Sequence, residues 1–439
     1  MGRGSGRARH GESQGTGGAY AFGQLGALLL EAGLSVTDVR LSLERALREQ
    51  PDAAGERLRF DVLPDVVLVS RDATGEVTLV GTQGDDLSFR QAAHAGRLAR
   101  EVESGAVRVD AASHRIEAIR RLARPHASTG WVLGSAAIAV GLAVVFRCPW
   151  WAVVVSVLAG ALVGILSLLL RRLDGATAVV PFLVALVSTT GVGAVASALD
   201  LGPVPLFAVC APVAVLVPGA LVTNALLELT ASDIVTGAGR LAYGVIVLGM
   251  MAVGISAGSA LTGLTLDPTS AALVGDVRST TADAGGWLAI PPQWASWAGV
   301  VVLAIGVGLA FGSGRRLTVL NVGVMTCTFA LLSVLSPWIG PEVAAGVTAA
   351  LLFVTARLIE QGMVALPSAA TFQPAFLLLV PGTVGLVALA STDLGSLESS
   401  LMTFVSLCLG VKIGALLADA TVRGRPAGAV TDEPGAGSR

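Results

Sequence analysis

Charged residues are scarce in this chain of 439 residues. They make up 14% of the sequence against 53% hydrophobic residues, and the mean hydropathy is +0.74. A soluble globular protein carries more charged residues than this on its solvent-exposed surface. The composition therefore excludes a soluble globular protein and indicates a membrane protein. The net charge of −2 leaves no excess of basic residues for nucleic acid, and we expect no such partner.

Lysine and cysteine are also rare. Lys412 is the only lysine among 29 basic residues, which together with abundant alanine, glycine and valine indicates a GC-rich bacterial genome. The four cysteines are scattered and include no CxxC pair, so neither a disulfide framework nor a cysteine metal site is expected. We read them as small hydrophobic residues of the apolar segments.

Motifs for catalysis and metal binding are missing as well. His94, His114 and His126 do not stand at HxxxE or HExxH spacing from a carboxylate, and the sequence has no GxSxG motif and no phosphate loop. We therefore expect no catalytic residue, no metal and no cofactor. A membrane-anchored hydrolase with its chemistry in the N-terminal domain remains an alternative.

The first 127 residues divide into a tail and a domain. Residues 1–19 are rich in glycine, serine and arginine, so we predict disorder there. Residues 20–127 predict a soluble α+β domain, and no signal peptide precedes it, so its expected location is the cytoplasm. Helices are predicted near 22–33, 35–48, 88–103 and 108–123, and strands at 58–63, 66–70 and 77–80. The last helix is basic on one face, which suggests that the domain gates transport from the inner membrane surface.

Ten apolar runs follow, each long enough to cross a bilayer. They lie at 129–147, 150–170, 177–199, 204–227, 240–264, 294–312, 317–336, 341–361, 373–391 and 398–420. The predicted fold is thus a mainly α-helical polytopic membrane protein: a first five-helix repeat at 128–264, an extracytoplasmic linker at 265–293, a second repeat at 294–420 and a disordered cytoplasmic tail at 421–439. Because five is odd, the second repeat must be inverted relative to the first.

Arginine positions predict the orientation in the cytoplasmic (plasma) membrane. With the N-terminus inside, eight arginines fall in inner connections or the tail and two in outer loops. The inner ones are Arg171, Arg172, Arg240, Arg315, Arg316, Arg357, Arg423 and Arg425, and the outer ones are Arg147 and Arg278. Both termini are therefore expected to be cytoplasmic.

A proline–glycine pair interrupts one apolar run in each half. Leu216-Val217-Pro218-Gly219 recurs as Leu379-Val380-Pro381-Gly382, and the difference of 163 positions also relates Trp131 to Trp294. Proline removes a backbone donor and glycine disfavours the helix, so each pair predicts a helix break. In lipid such a break persists only where protein or a water-filled cavity satisfies the backbone. Kinking for packing alone is the competing interpretation.

These stretches resemble the threonine/serine exporter family. The resemblance rests on Gly26-Ala27-Leu28-Leu29-Leu30-Glu31-Ala32-Gly33-Leu34-Ser35-Val36-Thr37-Asp38-Val39, on Val215 to Ala225 and on Val380-Pro381-Gly382, and it covers about residues 20 to 420. It implies an exporter of threonine and serine across the cytoplasmic membrane, driven by the proton-motive force. Relatives split into two chains imply small dicarboxylates such as succinate as an alternative substrate.

The helix breaks predict a binding site for a carboxylate. Pro218 and Pro381 would each be the first residue of a new half-helix, where the missing amide hydrogen of proline costs nothing. The amides that follow would face a cavity, with the positive end of the helix dipole behind them. They belong to Gly219, Ala220 and Leu221 in one half and to Gly382, Thr383 and Val384 in the other. Thr223 and Asn224 would bind the ammonium or hydroxyl group of the substrate.

Other intramembrane polar residues are candidates for the transport path. Lys412 would neutralise a carboxylate, pair with an acid or extend to the interface. Asn321 and the Ser188-Thr189-Thr190 cluster would line the path or bond neighbouring helices. The acids for proton coupling are Glu228, Asp233, Glu360 and Asp419, with solvated carboxylates as the alternative. A passive channel and a homo-oligomer also remain open.

Overall fold

The protein is mainly helical, with a mixed N-terminal domain followed by long apolar helices. The structure, a computed structural model, describes residues 9–50, 57–84, 86–123, 127–172, 179–267, 285–362, 375, 378–379 and 394–423. The second proline–glycine pair and most of the predicted segment 373–391 lie outside these described residues.

Two helices open the N-terminal domain. Helix α1 is Arg9–Glu31, and α2 is Val36–Arg48, with the Ser35 side chain accepting a hydrogen bond from the Asp38 amide as the N-cap. Helix α1 takes in residues 9–19 of the tail that composition predicted to be disordered. Its later part is anchored by packing, since Ala19 and Phe22 are fully buried in the domain core.

A three-stranded antiparallel sheet covers α1. Its strands are β1 (Leu58–Leu63), β2 (Val66–Arg71) and β3 (Val77–Gly81), paired in the order β1-β2-β3. Strand β1 alternates buried and exposed residues, as the period of two requires for a sheet with one covered face. Gly26 allows α1 to approach this face, because a Cβ there would lie 3.0 Å from Cγ2 of Val67.

Two further helices complete the domain, α3 (Phe89–Glu103) and α4 (Val109–Arg120). Ser88 and Gln91 form a capping box at the start of α3, and the Gln91 amide also donates to the carbonyl oxygens of Ile119, Arg120 and Leu122 at the end of α4. Arg120 pairs with the buried Glu31 through two hydrogen bonds of 2.9 and 3.0 Å. All three strands and α2 to α4 lie within three residues of their predicted bounds.

The apolar part of the chain consists of helices with short connections. Their bounds are α5 Ala127–Val145, α6 Trp150–Leu170, α7 Val180–Ala198, α8 Leu206–Val213, α9 Gly219–Thr230, α10 Ile234–Thr262, α11 Ala295–Ala310, α12 Arg315–Ile339, α13 Pro341–Gly362 and α14 Leu394–Arg423. A parallel bridge between β4 (Val204–Pro205) and β5 (Leu266–Asp267) links the connections before α8 and after α10.

Within the described residues, fewer segments meet the criteria for a membrane span than the ten predicted. Six helices are long and apolar enough, and the bent pair formed by α8 and α9 makes a seventh candidate. Two predicted segments correspond to shorter apolar helices, Ala295–Ala310 and Pro341–Ala356. The 16 residues of Ala295–Ala310 rise about 24 Å, less than the roughly 30 Å of hydrocarbon. Pro341–Ala356 is part of α13, whose 22 residues rise about 33 Å.

Glycines bring several pairs of apolar helices into close contact, and three of these pairs bear on the arrangement of the two halves. Helices α5 and α11 pack together where a Cβ at Gly141 would lie 2.7 Å from Cβ of Leu303. Helix α10 packs on α7 through Gly254 and Gly258, and α14 packs on α13 through Gly410 and Gly414. Each of these last two pairs uses a GxxxG spacing, which lets helix backbones approach in a membrane.

Candidate functional site

The fourth apolar segment is broken at the predicted proline–glycine pair. Helix α8 and a short 3-10 turn (Ala214–Leu216) end before Val217, which is extended, and α9 begins at Gly219 at an angle of 75° to the preceding piece. The sequence predicts Pro218 as the first residue of the half-helix, but in the structure Pro218 is the residue before it and Gly219 is the first. The amide of Gly219 donates to the carbonyl of Val217 at 2.7 Å, which makes a tight turn around the proline.

The first turn of α9 offers backbone amides that have no acceptor inside the helix, as at any helix start. Because Gly219 donates to Val217 and Val222 donates to Pro218, the amides of Ala220 and Leu221 are the ones left without an acceptor among the described residues. Ala220 is exposed, and a Cβ built on Gly219 would meet no atom of the described residues within 4 Å. The break therefore borders space that no described residue fills.

Thr223 and Asn224 do not face that space with their donors. The Thr223 hydroxyl donates to the Gly219 carbonyl of its own helix at 2.8 Å. The Asn224 side-chain amide donates at 2.9 Å to the carbonyl of Gly33, which lies between α1 and α2 of the N-terminal domain. Of the two polar side chains that the sequence predicts as ligands, Asn224 instead joins the half-helix to the N-terminal domain.

Glu228 continues the same face of α9, four residues after Asn224. It is fully buried, and its Oε1 atom accepts hydrogen bonds from Arg240 of α10 at 2.6 Å and from the Val36 amide at 3.0 Å. Its second oxygen, Oε2, has no hydrogen-bond partner among the described residues. Glu228 is thus a buried member of an ion pair and not a solvated carboxylate.

Asp233, just after α9, makes a second charged contact with the N-terminal domain. Thr37 donates to its Oδ2 atom at 2.5 Å, and Arg40 pairs with its Oδ1 atom at 3.1 Å. Both groups come from α2. The contacts with the end of α9 therefore come from the turn before α2 and from α2 itself. The basic last helix of the domain, α4, was the element expected to gate transport, but its Arg120 pairs with Glu31 inside the domain.

Lys412 of α14 contacts the other side of the half-helix. Its Nζ atom donates at 2.7 Å to the carbonyl of Thr230, the last residue of α9, while the side chain remains exposed. A cation at this position satisfies one of the carbonyls that a helix end leaves unpaired and also complements the helix dipole. Lys412 thus caps the half-helix and links the last apolar helix to it.

Asn321 is the predicted site residue with the most unusual surroundings. Its side chain is 1% exposed, and neither its amide nitrogen nor its amide oxygen has a hydrogen-bond partner among the described residues. Val322 and Met325, on the same helix α12, belong to one apolar cluster together with Leu216 and Val217 at the break. Buried polar atoms without partners are rare and costly, so they mark a candidate ligand position.

The remaining sequence candidates divide into three groups. Ser188 and Thr189 are buried on α7 without partners for their hydroxyls among the described residues, whereas Thr190 donates to the carbonyl of Leu186. Glu360 and Asp419 lie on α13 and α14, but their side chains are outside the described part. Pro381, Gly382 and Thr383 are outside it altogether.

The N-terminal domain offers little for catalysis. Among the described residues no cluster of three histidine, cysteine or acidic side chains is arranged to hold a metal. Burial, together with the neighbouring Arg97 and Arg90, lowers the pKa of His94 below its ordinary value, so this histidine is neutral near pH 7. His114 is exposed on α4.

Several long apolar helices and a helix broken at its centre define a multi-pass membrane protein of the transporter class. The sequence matches the threonine/serine exporter family, ThrE, over residues 21–262, and the chain belongs to that family. The match includes the N-terminal domain and the helices up to α10. No curated protein and no solved structure matched the chain.

Proposed function

We propose that this protein is a secondary transporter that exports threonine, serine and similar small hydroxy amino acids across the bacterial cytoplasmic membrane. The observation that carries the proposal is the broken helix: in a chain of the threonine/serine exporter family, the Pro218–Gly219 break lies beside space that no described residue fills. The substrate carboxylate binds the amides of Ala220 and Leu221 at the positive end of the α9 dipole.

Asn321 supplies the side-chain part of the proposed site. Its amide has one unused acceptor and two unused donors, whereas a hydroxyl group offers one donor and acceptor lone pairs. An analogue without the hydroxyl group would leave this buried amide without a hydrogen bond, so the site discriminates strongly against such analogues. Thr223 adds the lone pairs of its hydroxyl oxygen on the next turn of α9. Pro381, Gly382 and Thr383 form the corresponding element of the second half.

The proposed fold has ten spans in two inverted halves, with both termini in the cytoplasm. The matching helix pairs support it: α10 on α7 and α14 on α13 join the fifth and third predicted segments of each half through a GxxxG spacing. The pairing of α5 with α11, the first segments of the two halves, is the contact expected beside an axis that relates them.

The proton-motive force drives export in this proposal, and Glu228 is the first candidate to carry the proton. It is the acid with a fully buried side chain and an unpaired oxygen, whereas Asp233 is bound by Thr37 and Arg40. We therefore assign Asp233 to domain contact. Glu360 and Asp419 remain weaker candidates.

Everted membrane vesicles test the proposal directly. With an imposed proton gradient, we expect uptake of labelled threonine and serine that an uncoupler abolishes, because outward export becomes uptake in this orientation. Uptake of succinate alone would move the protein to the dicarboxylate alternative. Flux that only follows the solute gradient would indicate a passive channel, and hydrolysis by the N-terminal domain without uptake would favour a membrane-anchored enzyme.

Substitution of Asn321 by leucine tests the side-chain part of the site. The shapes are similar, and two unpaired polar atoms leave the interior, so we expect the protein level and thermal stability to stay equal or rise. Threonine uptake should fall about tenfold or more, the equivalent of one lost hydrogen bond to a polar or charged group. Ser336→Ala is the matched control, because Ser336 is also buried without a partner on α12. Equal uptake by both variants would remove Asn321 from the site.

A further inference from the structure

Two sets of contacts between the N-terminal domain and the apolar helices stand out among the described residues. The first, which we call the anchor, consists of Gly33, Val36, Thr37 and Arg40 against Asn224, Glu228 and Asp233. The second, which we call the latch, consists of Ser88 and Phe89 against Phe311 and Gly312, in the turn between α11 and α12. The anchor holds the broken helix, and the latch holds the end of the α5–α11 pair.

The anchor is built from charged and buried groups. Glu228 accepts the Val36 amide while it is paired with Arg240, whose side chain is 12% exposed. Asn224 binds the Gly33 carbonyl, and the Asp233 contacts lie one turn further on. Opening the anchor would leave a buried carboxylate with one fewer donor and would leave a carbonyl unpaired, and both changes are unfavourable.

The latch is built from groups that separate more easily. One backbone hydrogen bond of 2.9 Å runs from the Phe89 amide to the Phe311 carbonyl, and the two phenyl rings stack with centroids 5.3 Å apart. Phe311 also meets the edge of Trp131 on α5, and Arg171 lies over the Trp131 ring. The four latch residues are uncharged, and their described contacts across the latch are one backbone hydrogen bond and one pair of stacked rings, so that opening it leaves no buried charge unpaired.

We propose that the N-terminal domain moves with the half-helix α9 as one body and parts from the α5–α11 pair at the latch, which opens the cytoplasmic entrance to the break. This inference rests on the proposed transport function, because alternating access moves one helix group against another. A domain that contacts both groups of helices, α9 at the anchor and the α5–α11 pair at the latch, blocks that motion unless one of the two contacts opens. The difference in chemistry between the two contacts selects the latch as the one that opens.

A disulfide across the latch tests the proposal. A Cβ built on Gly312 lies 3.1 Å from Cβ of Ser88, slightly below the roughly 3.5–4.5 Å that a disulfide needs, so a small relaxation suffices. We would introduce Ser88→Cys with Gly312→Cys after replacing the four natural cysteines by alanine. Oxidation should lower threonine uptake by everted vesicles at least tenfold, and dithiothreitol should restore it. The single-cysteine variants, oxidised in parallel, should not change.

A second pair guards against failure at Gly312, whose φ of +67° strains a side chain. Phe89→Cys with Phe311→Cys replaces the two stacked rings by a pair of thiols next to the backbone hydrogen bond of the latch. Loss of maleimide labelling reports that either disulfide has formed. Full uptake with a formed disulfide would overturn the proposal, since the latch would then stay closed throughout transport.

Thiol labelling supplies a readout that does not need transport. Ser88 and Asn224 are 6% and 8% exposed, and the Asn224 side chain contacts the domain directly at Gly33, so a cysteine at either position reacts with a water-soluble maleimide mainly when its contact opens. We expect Ser88→Cys at the latch to react at least tenfold faster than Asn224→Cys at the anchor. Equal rates, or faster reaction at Asn224→Cys, would overturn the latch. If the cysteine-free protein without a latch disulfide shows no uptake, the proposed transport function is contradicted. The labelling rates then still decide whether the latch opens.

Discussion

Replacement of Gly219 by leucine is expected to abolish threonine uptake while the protein still reaches the membrane in normal amount. The new side chain would enter space that no described atom occupies within 4 Å, so it causes no clash, and leucine favours the helix that starts there. It would also cover the amides of Ala220 and Leu221. Loss of a hydrogen bond to a charged group costs about 1.5–3 kcal/mol, which is about ten- to hundredfold in affinity for each amide removed.

Gly239→Leu is the matched control for this variant. Gly239 lies on α10, is exposed and also has no described atom within 4 Å of a built Cβ. The control variant thus introduces the same glycine-to-leucine change at a position outside the break. Uptake in membrane vesicles, normalised to protein amount by immunoblot, is the measurement. If Gly219→Leu transports at the rate of Gly239→Leu, the break is a packing kink and the proposed carboxylate site is wrong.

Replacement of Arg240 by leucine is expected to destabilise the folded protein by about 3–5 kcal/mol. Glu228 is fully buried, and this change would leave its charge with only the Val36 amide as a donor. Removing one partner of a buried ion pair has a cost of this size because the other charge stays in a poorly solvating environment. Thermal unfolding of the detergent-solubilised protein measures the effect.

The double variant Glu228→Gln with Arg240→Leu separates the charge from the contact. Glutamine keeps an oxygen that accepts the Val36 amide, and no uncompensated charge remains, so most of the lost stability should return. A double variant as unstable as Arg240→Leu alone would show that Arg240 acts through packing and not through its pair with Glu228.

Periodicity and turn chemistry alone predicted most of the N-terminal domain. The extended runs at 58–63, 66–70 and 77–80 and the helices α2 to α4 depend on residues that are close in the sequence, so local rules were sufficient for them. The extent of α1 was not predictable in this way. Its first residues are glycine-rich, and only its packing on the sheet, with Ala19 and Phe22 buried, explains an ordered helix there.

The broken helix was also readable from the sequence, because proline and glycine disrupt a helix through their own covalent structure. The partners of the polar side chains on this helix were not readable from the sequence. Asn224 points to Gly33, 191 residues away in the chain, and Glu228 binds Val36, 192 residues away. The spacing of Asn224 and Glu228, four apart on one helical face, was a signal that this face has a polar partner, but it did not identify which one.

The sequence by itself determined that the chain is a multi-pass membrane protein, where the strands and the helices α2 to α4 of the N-terminal domain lie, and that one apolar helix breaks at Pro218–Gly219. Hydrophobic run length and backbone restrictions depend on neighbouring residues, so they need no knowledge of the fold. Only the tertiary structure decided that the N-terminal domain holds the half-helix through Glu228 and Asp233, that Lys412 caps it, and that Phe89 meets Phe311. Such contacts join distant parts of the chain, and their strength comes from burial and charge pairing, which exist only once the helices have packed.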